Sequence, residues 1–142
     1  MADSNYSFVR FLAKFGAAGA VPATDRTGRA LTAAGNATVV ADGGALTGAY
    51  LTLDGTGDYV TTPGTTDLRL GAGDFCIDFG VKTSASNKCL IDHYDGTNTG
   101  WQVFLDSSGH LAWWNDTVLT TGAIAVNDGN RHHVAIFRVG GT

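Results

Sequence analysis

The side chains that could do chemistry in this chain are aspartates, a few histidines and a set of aromatics, with no glutamate among 142 residues. All 13 acidic residues are aspartate, and carboxylate oxygens are hard ligands that suit calcium. Asp54 and Asp58, which bound the turn DGTGD, together with Asp92 and Asp95, are the residues that could hold such an ion. They do not form the spaced aspartate ladder of a dedicated calcium loop, and turn formation accounts for each of them without a metal. Nothing points to any other cofactor. His132 and His133 are adjacent, so on a strand they face opposite ways and cannot chelate one metal together. A histidine buried and hydrogen-bonded at a sheet rim explains one of them. His93 and His110 stand without a neighbouring serine or cysteine pattern. Tyr94, Trp113 and Trp114 could stack on a sugar ring, and His133 is grouped with them as a ligand contact. The opposing reading splits these aromatics between core and sheet surface.

The elements that must position these residues are short strands. Residues 50–82 organise the chain: three strand-like pieces lie between turns rich in glycine and aspartate. The last piece, FCIDFGVK, alternates strictly, with Phe75, Ile77, Phe79 and Val81 on one face and Cys76, Asp78, Gly80 and Lys82 on the other. Two weak strands are expected around Gly35-Asn36, and further strands over residues 88–94, 117–126 and 131–139. The clearest hairpin runs through residues 101–105, the turn DSSG and residues 110–115. Pairing about that turn sets Leu105 opposite His110, Val103 opposite Ala112 and Trp101 opposite Trp114, which leaves Gln102, Phe104, Leu111 and Trp113 on the other face. Residues 8–15 read equally well as a helix, by the spacing of Phe8, Phe11, Leu12 and Phe15, or as a strand. Residues 1–7 are a polar lead-in, and residues 8–142 read as one domain without internal repeat or linker.

Composition narrows the function. Twenty glycines, two prolines and the exclusive use of aspartate favour turns and strands over helices. A net charge of -4 argues against a nucleic-acid partner. No apolar run approaches the ~18 residues that span a membrane, and no basic-then-apolar leader opens the sequence. A hairpin centred near Ala85 would put Val81 opposite Cys89 and Cys76 opposite Tyr94, which sets the two cysteines on opposite faces and roughly 17 Å apart. They are therefore expected to be free thiols, as in a protein made in a reducing cytoplasm.

The segments LTLDGTGDYV, LGAGDFCIDFGVK, GWQVFLDSSGHLAWW and DGNRHHVAIFR, in this order, resemble the concanavalin A-like lectin/glucanase superfamily, and among its branches the laminin-G-like jelly roll. The opening part is similar to versions found in bacteriophage structural proteins, where TDRTG and AAGNATV precede the DGTGDYV core. The resemblance implies an all-β fold, an antiparallel two-sheet β-sandwich, with a strand over residues 8–15. It also implies a sandwich short of its last strands, because the family continues past its His-His-Val-Ala strand into a hairpin and a returning strand. Two aromatic positions differ: Arg131 and Gly80 stand where the family usually has tryptophan. Glycosidases of the superfamily use glutamates in a Glu-x-Asp-x-x-Glu arrangement, which this chain lacks, so no enzymatic activity is expected. The implied role is a non-catalytic structural or adhesive module of a virus-like (phage) particle, made in the host cytoplasm and placed on the virion. Its implied partners are copies of itself or other virion proteins, with host glycans as ligands in the alternative reading of a lectin-like module.

Overall fold

The computed structural model of the chain describes residues 10–41, 48–64, 66–94, 100–116 and 118–140. These residues form an all-β fold whose antiparallel sheets do not close into a barrel, with a single 3-10 turn at Thr66–Leu68. No helix among them is long and apolar enough to cross a membrane. The chain gathers into two compact units, one up to Leu68 and one from Arg69 onward.

The first unit holds β1 (Thr32–Ala34), β2 (Thr38–Ala41), β3 (Ala49–Thr52) and β4 (Tyr59–Thr61). Although β1 and β2 flank Gly35-Asn36, they do not pair with each other: β1 pairs with β4, and β2 with β3. The corner needs glycine. Gly35 sits at φ +66°, and a Cβ there would collide with the Asp58 carboxylate and lie 2.9 Å from the Gly57 carbonyl. Leu31, Val39 and Ala49 are the buried apolar residues of this unit among the described ones. The strand implied over residues 8–15 does not form; residues 11–16 are irregular, and residues 8 and 9 lie outside the described ones. The cause is competition for backbone groups. Leu12 donates its N–H to the Asp25 carboxylate (3.0 Å) and accepts at its carbonyl from Arg26 N (2.9 Å), so neither group is left for a ladder.

The second unit holds β5 (Phe75–Lys82), β6 (Lys88–Asp92), β7 (Trp101–Leu105), β8 (His110–Asn115), β9 (Val118–Ala125) and β10 (Arg131–Arg138). Strands β6 to β9 form a four-stranded meander, and β5 pairs along all eight residues with β10. The hairpin expected between β5 and β6 is thus absent. Its register would have set only Phe79 against a large apolar residue, Ile91, with Cys89, His93 and Asp95 against Val81, Ile77 and Phe75. Pairing with β10 sets Phe79 opposite Val134 and Ile77 opposite Ile136, and leaves Asp78, Gly80 and Lys82 opposite Ala135, His133 and Arg131 on the other face. The inward alternation of Phe75, Ile77, Phe79 and Val81 is as the sequence predicts.

The turn DSSG forms where expected, but the pairing across it is shifted by one residue. Leu105 opposes Leu111, Val103 opposes Trp113 and Trp101 opposes Asn115. Gly109 causes the shift: at φ +80° it acts as an inserted residue, with Asp106 N–H bonded to the His110 carbonyl (3.0 Å) and Gly109 N–H to the Asp106 carbonyl (3.1 Å). Because strand side chains alternate, the slip moves all of β8 to the other face. Trp113, not Trp114, therefore joins Trp101, Val103 and Leu105. That face is the interior of a small β-sandwich. Trp113 stacks on Phe75 of the β5–β10 pair (5.4 Å between ring centroids) and on Trp101 (5.5 Å). Val103 and Leu105 are fully buried beneath it, each contributing about 1.5–3 kcal/mol. Arg138 lies over the Phe75 ring (5.1 Å) and donates to the carbonyls of Leu70, Gly71 and Gly73, which ties the approach to β5 onto the end of β10.

Cys76 on β5 and Cys89 on β6 belong to different sheets, and both are free and exposed. The expected free thiols are present, though not through a β5–β6 hairpin. Cys89 turns its Sγ toward the carbonyls of Ile91 (3.5 Å) and Val103 (3.8 Å), and burial and then the charge of Asp92 push its thiol above the ordinary value. Alkylation of the folded chain near neutral pH should label both cysteines, with Cys89 markedly slower than a free model thiol. A mass two hydrogens light without reductant would show this packing to be wrong. For the core, Phe79→Ala should lower stability by about 3 kcal/mol and Asp78→Ala by less than ~1 kcal/mol, read from urea midpoints. Equal losses would mean that β5 presents its other face.

Candidate functional site

The aspartates singled out as calcium ligands are turn builders. Asp58 divides its carboxylate between Asn36 N (2.8 Å) and Asp54 N (2.9 Å), so it joins the corner between β1 and β2 to the turn before β4. Asp54 accepts from Thr56 N (2.7 Å) and Asn36 Nδ2 (3.1 Å). Those bonds, the Thr56 N–H foremost, hold the Asp54 carboxyl below the usual range. Asp92 accepts from Tyr94 N (2.8 Å), which ends β6 two residues earlier than the sequence suggests. Asp95 lies outside the described residues. A calcium ion at Asp54 and Asp58 would have to displace four N–H donors from two carboxylates. Among the described residues no three His, Cys, Asp or Glu side chains come together as a metal site.

The four residues proposed to contact a ligand separate. Trp113 packs inward against Phe75 and Trp101. His133 points outward from the β5–β10 pair, with its Nε2 2.8 Å from Asp78 Oδ1 and its side chain 71% exposed. Tyr94 and Trp114 remain together: the tyrosine meets the indole edge-on at 5.3 Å, on the face of the four-stranded sheet turned away from the sandwich interior. On that face the ladder sets Asp92, Gln102, Trp114 and Leu119 side by side across four strands. A carboxylate, an amide and an indole in one row are groups that can hydrogen-bond and stack on a polar ring. The sequence reading missed Gln102, because a register one residue off places it beside Trp113. The signal that could have found it is the glycine ending DSSG, which marks a bulged turn. Gln102 and Phe104 also line a shallow depression of about 320 Å³ with Asn87, Lys88, Cys89 and Leu105.

Of the other histidines, His93 stacks on Trp101 (5.7 Å) and two hold turns. His110 Nδ1 lies 3.2 Å from Asp106 Oδ2, and His132 Nε2 lies 2.8 Å from Asp128 Oδ1; each aspartate opens the turn that its histidine closes. His132 and His133 do face opposite ways, with His132 turned inward. Compared with known proteins, the chain matches no protein-family model, no curated protein and no solved structure.

Asp106 is held below the ordinary carboxylate range by the His110 N–H first and then Ser108 N–H, and Asp128 by the His132 ring first and then Asn130. A depressed carboxylate stabilises the fold above its unfolded value near 3.9, and that contribution is lost as pH falls through the folded value. These groups should leave the urea midpoint level above about pH 5 and lower it between about pH 4 and 2. In Asp128→Asn part of that fall should vanish. A wild-type midpoint that stays level to pH 2 would show that the turns carry no such weight.

Proposed function

We propose that this chain is a non-catalytic structural or adhesive β-sandwich module that works by packing against neighbouring subunits of a virus-like particle. The observation that carries this reading is the outer edge of β9. Among the described residues nothing pairs with it, its eight residues VLTTGAIA include no charge and no proline, and Leu119 and Ile124 are 61% and 74% exposed. Unshielded edges of this kind pair with other strands. Phe137 and Val139 add exposed apolar surface at β10. A groove of about 260 Å³ lies between β9 and β10, floored by Leu111 and Trp113. The absence of glutamate and the engagement of the aspartates in turns support a role without catalysis. The resemblance to laminin-G-like domains of phage structural proteins supplies the particle.

Light scattering behind size exclusion at micromolar concentration should give a mass above the 14.7 kDa of one chain. Leu119→Lys with Ile124→Lys should return it to one chain without loss of fold. A wild-type mass of one chain defeats the assembly reading. The second reading, a lectin-like module, is favoured by the Tyr94–Trp114 pair beside Gln102. It requires sugar-dependent chemical-shift changes at Trp114 that disappear in Trp114→Ala.

A further inference from the structure

Burial holds residues 10–18 only in part: Phe11 is 41% and Leu12 36% exposed, while Ala13 and Phe15 are half-buried. Their hydrogen bonds to the first unit come from one short turn. Asp25 is the buried charged side chain among the described residues, and its carboxylate shapes residues 25–29. Oδ1 accepts from Thr27 N (2.9 Å) and Arg29 N (2.8 Å), and the Thr27 hydroxyl donates to the same group. Oδ2 accepts from Leu12 N across thirteen residues of chain. The turn so formed then offers Arg26 N to the Leu12 carbonyl (2.9 Å) and Arg29 Nε to the Arg10 carbonyl (2.7 Å). Residues 13–18 make no hydrogen bond among the described residues. The chain is next fixed at Gly19, which exchanges two backbone hydrogen bonds with Val39 on β2 (2.8 and 2.9 Å).

We propose that residues 10–18 are a detachable arm, hinged at Gly19 and locked to the first unit through the Asp25 carboxylate, so that removing this one charge frees the arm while the sheets stay folded. Each bond to the carboxylate is made by a donor, so the lock needs the ionised form. The charged residues on the two pieces that meet there are Arg10 and Lys14 on the arm and Arg26 and Arg29 on the turn, all cationic. Burial opposes ionisation, and the hydrogen bonds from Leu12, Arg29 and Thr27 outweigh it and hold the carboxyl below its usual range. Once free, the arm presents Phe11, Leu12 and Phe15 together. It is a polar latch on an apolar strap.

The lock can be tested in the full chain by Asp25→Asn, which keeps the shape and one acceptor oxygen but loses the charge. Trypsin cleavage after Lys14 should speed up by at least about tenfold, with amide protection at Val39 and Leu51 unchanged. Unchanged cleavage overturns the proposal. So does loss of protection at Val39 and Leu51 in the same variant, which would make Asp25 a support for the whole unit. Hydrogen exchange in the wild-type chain gives an independent reading. The Leu12 amide should exchange at least about tenfold faster than Val39, and exchange of the two in one cooperative step would also refute the arm.

Discussion

The second unit depends on the place where Trp113 stacks on Phe75, because there its two sheets meet. The column of rings continues through Trp101 to His93 on one side (5.5 and 5.7 Å) and ends at the Arg138 guanidinium on the other. Rings in offset stacks add about 0.5–1.5 kcal/mol per pair beyond their buried area. Once Trp113 turns inward, the alternation of β8 leaves no choice for Trp114, which must face out with Gln102. The interior also decides β10: only a strand alternating in step with β5 can cover Ile77 and Phe79 and keep Lys82 and Asp78 in water.

Five of the aspartates share one job. Asp25, Asp54, Asp92, Asp106 and Asp128 each accept the backbone N–H two residues further on. Glutamate, one methylene longer, favours helices and does not close this small ring as well. The exclusive use of aspartate is thus a consequence of building many tight turns. Where such a carboxylate reaches a second segment, as Asp58 reaches Asn36 and Asp25 reaches Leu12, a local turn becomes a tertiary contact.

Both proposed functions lie on surfaces. The edge of β9 and the row from Asp92 to Leu119 lie on one sheet, and Leu119 belongs to both. A partner strand on that edge would therefore adjoin the Tyr94–Trp114 pair. The structural and the carbohydrate-binding readings share a border on this molecule, and each leaves the sandwich interior untouched.

The all-β class, the limits of β5, β7 and β8 and the inward face of β5 were legible in the sequence. A period of two and the residues that tolerate turns are local properties, written into each segment by its own side chains. The aspartates were legible as turn formers for the same reason. Three things were not: the partner of β5, the face of Trp113 and Trp114, and the path of residues 10–16. The partner of β5 lies about fifty residues away, and only the match of apolar positions across the pair selects it. The faces of β8 turn on the backbone of Gly109, where one inserted residue reverses the pattern of all six β8 side chains only after the strands have paired. Residues 10–16 alternate well enough to be a strand, yet a carboxylate thirteen residues on takes the N–H that the strand would need. Periodicity states which residues can share a face; which strand, turn or carboxylate claims their backbone is settled when distant groups compete for the same hydrogen bonds.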